Sequence, residues 1–156
     1  MNLKTSMNQS KSIEIVLCTH HSEWEAAKYF RQKYFFEPNN IEDPYTWTFI
    51  HPQHKHLVLY SGTEIIGYIH IQLWPDARAA IRIIVIDESR RNAGLGKKFL
   101  ALSEKWLKLE NYKSIHAESS PAALNFYRKN GYVNMAFNDP DGYVGDPEDT
   151  EVGKLL

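Results

Sequence analysis

The chain of 156 residues is 43% hydrophobic and has a formal net charge of -1, which favours one soluble globular domain and excludes a general attraction to nucleic acid or to anionic membranes. Its single cysteine, Cys18, excludes an internal disulfide and favours a reducing, cytoplasmic location. No segment is apolar over the ~18 residues of a membrane helix, and the polar start lacks the apolar core of a signal peptide.

The first half of the chain predicts a strand, a helix and a β-hairpin. Residues 1–11 are polar and are predicted to form a flexible tail, and the alternating segment Ser12–Cys18 is predicted as the first strand. A helix follows with Ser22 as its N-cap, and Pro38 ends it. The segment KHLVLYSGTEIIGYIHIQLW predicts two apolar strands that are joined at Gly62–Thr63.

The centre of the chain predicts a buried strand and an amphipathic helix. Ala79–Asp87 is almost entirely apolar and β-branched, which is typical of a central strand that is covered on both faces. A helix begins near Leu95. Its predicted buried face consists of residues at spacings of 4, 3, 4 and 3: Leu95, Phe99, Leu102, Trp106 and Leu109.

Four shorter elements complete the chain. They are a strand KSIHAE, a helix with Pro121 in its first turn and Gly131 at its end, a strand YVNMAF and a last edge strand EVGKLL. The order β α β β β α β α β β predicts an α/β (α+β) fold with a mixed sheet of six to seven strands and helices on both faces.

The junction between the central strand and the next helix carries Arg91 and two glycines, Gly94 and Gly96. Backbone amides at a helix start are unpaired and partially positive, and glycine lets a ligand approach them closely, so the segment predicts a phosphate or pyrophosphate site. It is not a P-loop, because Arg91 replaces the first glycine and Lys98 replaces the required Ser or Thr. It is not a dinucleotide fingerprint either, because Phe99 replaces the third glycine.

The remaining pattern, Arg-x-x-Gly-x-Gly after an apolar strand, resembles the pyrophosphate loop of the GNAT family, the acetyl-CoA-dependent N-acetyltransferases. The downstream segment AALNFYRKNGY is similar to the fourth-helix signature of that family at Ala123, Phe126, Tyr127, Gly131 and Tyr132. The resemblance covers about Ala79 to Val133 and implies one GNAT-like acyl-CoA N-acyltransferase domain over residues 1–156, with a mostly antiparallel sheet. Two positions depart from the family pattern: Ser120 stands where many members have Asn, and Asn92 stands where glycine is frequent.

The resemblance implies acetyl-CoA as a co-substrate and no metal. It implies binding of acetyl-CoA by the end of the central strand, the glycine loop and two downstream positions: Ile84, Val85, Ile86, Arg91, Asn92, Ala93, Gly94, Leu95, Gly96, Ser120 and Tyr127. Tyr127 is also the implied general acid, because a tyrosine keeps its proton at neutral pH. Glu118 is the candidate general base, and His70, His116 and ordered water are its alternatives.

The implied reaction is transfer of an acetyl group from acetyl-CoA to a primary amine of a small molecule or peptide by direct attack on the thioester. The alternative is a non-catalytic acyl-CoA-binding or sensing domain on the same fold. The expected partners are acetyl-CoA and an amine acceptor, with no nucleic acid and no membrane, and the expected state is a monomer or a homodimer.

Two segments are predicted to border the acceptor amine. Aromatic residues of DPYTWTF are predicted to form one wall. A loop near the end of the chain is either an acidic rim that attracts a cationic amine or an ordinary solvated loop. Its six acidic residues are Asp139, Asp141, Asp146, Glu148, Asp149 and Glu151.

Overall fold

The computed structural model describes residues 11–156, so all of the predicted tail except Lys11 lies outside the described part. Residues 11–156 contain seven strands: β1 Ile13–Leu17, β2 His54–Ser61, β3 Glu64–Trp74, β4 Arg78–Ile86, β5 Ser114–Ser119, β6 Val133–Asn134 and β7 Thr150–Leu155. The three α-helices are α1 His21–Arg31, α2 Leu95–Leu109 and α3 Leu124–Lys129. The strands form one sheet in the order β1-β2-β3-β4-β5-β7-β6, and only β4 and β5 are parallel neighbours. The predicted mixed sheet is confirmed.

Helices cover both faces of the sheet because successive strand residues point to opposite sides. On β2, Leu57 and Leu59 belong to the large core that includes Phe99 of α2. Val58, between them, belongs to a second core that includes Phe30 of α1. The sheet therefore separates α1 from α2 and α3.

Helix α1 begins one residue before the predicted cap, so the prediction of Ser22 as the N-cap is wrong. The Glu23 carboxylate accepts hydrogen bonds from the backbone amides of Thr19 at 3.0 Å and His20 at 3.1 Å. The buried Glu23 carboxylate thus accepts from the backbone amide of the N-cap, His20, as the acidic residue of a capping box does. The chain then continues through a π turn, Gln32–Phe36, before Pro38.

The buried face of α2 is rotated from the predicted one. The buried residues are Phe99, Leu100, Ser103 and Leu107, whereas Leu109 is 73% exposed. Ser103 tolerates burial because its hydroxyl donates to the Phe99 carbonyl at 2.8 Å. A count of apolar residues alone missed this face because a serine lies at its centre.

Strand β7 is not the edge strand that the sequence predicted. It pairs with β5 from Ser119↔Thr150 to Ser114↔Leu155, and the two-residue β6 takes the edge. Gly153 permits this packing, because a Cβ there would lie 2.6 Å from Met135 Sδ. Met135 comes close to Gly153 only when the chain folds, so the sequence did not show that β7 is covered on this side.

The sheet opens between β4 and β5. Their pairing ends at Ile81↔Ala117, while β4 continues to Ile86. Arg82 is an extra residue in β4, because His70 pairs with Ile83 and Ile71 pairs with Ile81. A bulge of this kind bends a strand and turns a side chain in a new direction. The opening and the bulge together position the candidate site.

Candidate active site

The glycine loop presents free backbone amides at the end of β4. Asn92 and Gly94 have φ angles of 66° and 72°, and α2 begins at Leu95. Among the described residues, none accepts a hydrogen bond from the amides of Asn92, Ala93 or Gly94. A Cβ added to Gly94 would meet nothing within 4 Å, so the loop is open on this side. Left-handed backbone and a helix start form a concave, partially positive cradle for an anion.

Two neighbours hold the glycine loop in place. Arg91 Nε donates to the Ile86 carbonyl at 3.0 Å, and its guanidinium lies 5.0 Å from the ring centre of Tyr34. At Gly96 a Cβ would lie 3.3 Å from the Phe126 ring, so this glycine also brings α2 close to α3. Sequence reasoning assigned Gly96 to the ligand alone and missed this packing role.

The predicted pantetheine-binding segment lies in the opened half of the sheet. Ile84, Val85 and Ile86 follow the last β4–β5 pair, and within residues 11–156 no strand pairs with their β5-facing edge. Val85 and Ile86 are buried, so their side chains belong to the core while the free edge offers backbone groups. Such an edge can pair with an extended amide-containing ligand.

Tyr127 lies on α3 and is buried beside the other aromatic residues of its signature. Its ring centre is 5.4 Å from that of Phe126 and 5.2 Å from that of Tyr132. Burial raises the pKa of Tyr127, so the hydroxyl keeps its proton at neutral pH. Ser120 lies just before α3, where its hydroxyl accepts from the Ala123 amide at 3.3 Å. Pro121 is therefore in the turn before α3 and not in its first helical turn, which corrects the prediction.

A cavity of about 550 Å³ has part of β4 in its wall. Ile81, Arg82 and Ile83 of β4 line it, so the strand that leads to the glycine loop also forms a wall of the cavity. Its aromatic wall includes Tyr45 and Trp47 of the segment DPYTWTF. Four of the six predicted loop carboxylates line it, namely Asp139, Asp141, Asp146 and Asp149, whereas Glu148 and Glu151 do not.

Glu118 at the end of β5 also lines the cavity. Burial raises the pKa of the Glu118 carboxyl, and the carboxylates of Asp149, Glu151 and Asp139 add to this while Arg82 opposes it. A side chain at Gly145 would collide with the Glu118 carboxylate, so this glycine makes room for it. The two histidines that are alternative candidates for the general base lie in different places. His70 lines the cavity, whereas His116 is buried outside it with Nε2 2.8 Å from Ser114 Oγ.

Sequence reasoning missed Arg82, although it is the only charged residue inside the apolar segment AAIRIIVI. Arg82 Nη2 donates to Asp139 Oδ2 at 2.7 Å, and Nε donates to Gln72 Oε1 at 2.9 Å. Its guanidinium also lies 5.5 Å from the Phe137 ring centre. An isolated arginine in a buried strand was the signal that something must neutralise it inside the fold.

In residues 11–156 no helix combines the length and the apolar composition that crossing a membrane requires. Over the same range, no three His, Cys, Asp or Glu side chains are grouped so that they would hold a metal ion.

Comparison with known proteins now identifies the family. The sequence model of the acetyltransferase (GNAT) family matches residues 19–132, and the chain therefore belongs to this family. The fold is that of a GNAT acyl-CoA N-acyltransferase. No curated protein matches the sequence significantly.

Solved structures show the same fold at low sequence identity. A protein from Lactobacillus plantarum is 21% identical with a TM-score of 0.74, and the match covers 93% of this chain and 99% of that one. Tetrahymena GCN5 is 14% identical with a TM-score of 0.73, covering 92% and 95% of the two chains. An acetyltransferase of the GNAT family from Staphylococcus aureus is 18% identical with a TM-score of 0.68, covering 93% and 99%.

Proposed function

We propose that this protein transfers an acetyl group from acetyl-CoA to a primary amine of a small molecule or peptide by direct attack of the amine on the thioester. One observation carries the proposal: a single strand, β4, joins an anion cradle to an acidic cavity. Its residues Ile81–Ile83 line the cavity, and Ile84–Ile86 lead along a free edge to the glycine loop. An extended acyl-CoA on that edge would place its phosphates in the loop and its acyl end at the cavity.

The cavity suits the capture of a cationic amine. Asp141, Asp146 and Asp149 give it negative charge, which attracts an ammonium group from solvent. An ammonium group has no lone pair, so it must lose a proton before it attacks. We assign that step to Glu118, whose raised pKa makes it a better proton acceptor than an ordinary carboxylate.

Tyr127 is assigned to the departing thiolate of CoA. A thiol has a pKa near ~8.5. Burial holds the pKa of Tyr127 well above the usual range of a tyrosine, and so far above that of the thiol. Complete transfer of the phenolic proton would therefore leave a buried tyrosinate and is unfavourable. Tyr127 acts instead as a hydrogen-bond donor that stabilises the thiolate in the transition state, and water then supplies the proton.

The experiment that tests the proposal is a panel of primary amines with acetyl-CoA, followed by release of free CoA. Each amine is paired with the alcohol of the same shape, which controls for hydrolysis and for transfer to oxygen. Titration calorimetry with acetyl-CoA is run in parallel. We expect binding of acetyl-CoA and turnover that depends on the amine.

Binding of acetyl-CoA without turnover of any amine would instead support the alternative, a non-catalytic acyl-CoA-binding or sensing domain. No binding of acetyl-CoA at all would contradict both functions. Free CoA released equally with amines and alcohols would contradict N-acetyl transfer.

A further inference from the structure

A buried arginine in the lining of the cavity sets the direction of a chain of hydrogen bonds. Arg31 at the end of α1 is only 1% exposed, and Asp43 accepts from its Nε at 2.6 Å and from its Nη2 at 3.2 Å. The remaining nitrogen, Nη1, lies 3.0 Å from His70 Nδ1 and 3.1 Å from the Tyr68 hydroxyl. An arginine side chain has donors and no acceptor. His70 Nδ1 must therefore accept, and it carries no proton.

This single constraint determines the tautomer of two histidines. Because Nδ1 of His70 is unprotonated, its proton is on Nε2. That nitrogen lies 2.8 Å from His54 Nδ1, so it donates to His54. His54 Nδ1 is in turn an acceptor, and the proton of the His54 ring is on Nε2.

A second branch of the hydrogen-bond chain runs from Arg31 through Tyr68 to His56, and its donors and acceptors also match. The Nε2 of His56 lies 3.2 Å from the Thr48 carbonyl, which only accepts, so His56 donates through Nε2. Its Nδ1 then accepts from the Tyr68 hydroxyl at 2.6 Å. This branch holds the turn that carries Trp47, and the Trp47 ring centre is 5.2 Å from that of His54.

The charge state of the histidines agrees with the geometry. Burial lowers the pKa of His54 to about 4 and holds the pKa of His70 well below its usual range, so both rings are neutral at physiological pH. A second proton on either ring would place two donors against each other. Neither His70 nitrogen has a free lone pair for a substrate, which disfavours His70 as the general base.

His54 lines the cavity and is half-buried. Its Nε2 has no hydrogen-bond partner within the described residues, so its N–H is free to donate to a bound molecule. An ammonium group offers no acceptor for it. A substrate carboxylate would accept, but it would also face the carboxylates of Glu118, Asp141 and Asp146, which line the same cavity.

We propose that the acceptor amine also carries a neutral carbonyl oxygen, as in an amino-acid amide or a peptide, and that this oxygen accepts a hydrogen bond from His54 Nε2–H. The inference rests on the proposed N-acetyl transfer and specifies its substrate class. His54 is then a residue that determines specificity, and Arg31 and His70 are positioning residues that fix its donor.

The test compares three amines of the same skeleton: phenylalanine amide, phenylalanine, and the amine in which a methyl group replaces the carboxamide. The parent is compared with His54→Phe, which keeps a ring but has no N–H donor. His54→Gln is the rescuing variant because its amide donates, and His51→Phe is the control at an exposed neighbouring histidine. For each amine, the kcat/KM of a variant is divided by the kcat/KM of the parent. Differences in basicity between the amines therefore cancel.

We expect His54→Phe to lower kcat/KM about threefold to tenfold more for the amide than for the methyl compound, which is the effect of one neutral hydrogen bond. His54→Gln should recover part of that difference, and His51→Phe should produce none. An equal loss for all three amines would overturn the inference while leaving acetyl transfer intact. If no amine in the wider panel were acetylated, the proposed function would be overturned, and the substrate class with it.

A spectroscopic measurement tests the assignment of the histidine tautomers without any turnover. Nitrogen-15 correlation spectra of the intact protein distinguish the two neutral tautomers of each histidine. We expect His54 and His70 both to be protonated at Nε2 between pH 6 and pH 8, and phenylalanine amide to shift the His54 Nε2 resonance. Protonation of His54 at Nδ1 would overturn the inference whatever the kinetics show.

Discussion

Nη2 of Arg82 lies 2.7 Å from Oδ2 of Asp139, and this ion pair joins the bulge in β4 to the acidic loop between β6 and β7. The Asp139 side chain is 1% exposed, whereas that of Arg82 is 23% exposed. The loop is therefore held at the cavity by a carboxylate that depends on one arginine for its neutralisation.

Replacing this arginine should destabilise the protein. Arg82→Ala leaves a buried carboxylate without its partner, and we expect a loss of about 2–3 kcal/mol in the free energy of unfolding. Urea denaturation measures it. Arg90→Ala is the matched control, because Arg90 pairs with Glu64 at the exposed surface, where such a pair contributes ~0–1 kcal/mol. Equal effects of the two substitutions would show that the Arg82–Asp139 pair does not hold the loop.

A side chain at Gly94 should block the anion cradle. Gly94→Val should weaken acetyl-CoA binding by about 10–100-fold, the effect of losing one or more hydrogen bonds to a charged group. Gly142→Val is the control, because Gly142 has a φ of 71° and open space around it, as Gly94 does, but lies in the acidic loop. The two variants experience the same backbone strain. Titration calorimetry should show a changed Kd for Gly94→Val alone, and an unchanged Kd in that variant would contradict the loop as the pyrophosphate site.

Glu118→Gln should lower activity and change how stability depends on pH. The pKa of Glu118 is raised in the folded protein, mainly by burial, so the folded state binds this proton more tightly than the unfolded state does. The free energy of unfolding therefore falls as pH rises from the unfolded pKa through the folded one. Glu118→Gln removes that contribution, so the fall in stability with pH should become shallower while kcat falls by about 10²–10⁴-fold.

The control for the loss of kcat is Glu151→Gln, because Glu151 pairs with Glu118 across β5 and β7 but does not line the cavity. Chemical denaturation from pH 4 to pH 8 and steady-state kinetics are measured on both variants. Full activity of Glu118→Gln would leave water as the proton acceptor.

Tyr127→Phe removes one hydroxyl and keeps the ring packing. Because the hydroxyl stabilises the thiolate in the transition state, we expect kcat to fall by about 10²-fold, the effect of losing one hydrogen-bond donor to a developing anion, with little change in the Kd of acetyl-CoA. Tyr132→Phe is the control: its hydroxyl donates to Glu104 at 2.8 Å, so that variant should lose stability and retain kcat. A near-parental kcat in Tyr127→Phe would remove its role in the reaction.

The sequence by itself determined the features that arise within a few residues. The Arg91-x-x-Gly94-x-Gly96 cradle was readable because free amides at a helix start and left-handed glycine backbone are local properties. The hairpin at Gly62–Thr63 and the apolar strand β4 were readable for the same reason, since turn chemistry and a continuous apolar run act over short spans. These local features were enough to indicate the family.

Only the tertiary structure decided the arrangement of the cavity. Arg82 and Asp139 are 57 residues apart, and Arg31 and His70 are 39 apart, so no local pattern relates them. Their directions follow from strand register, from the bulge and from the position of β7 inside the sheet. Buried charges must find partners once water is removed, and which partners are available depends on packing that only the folded chain creates.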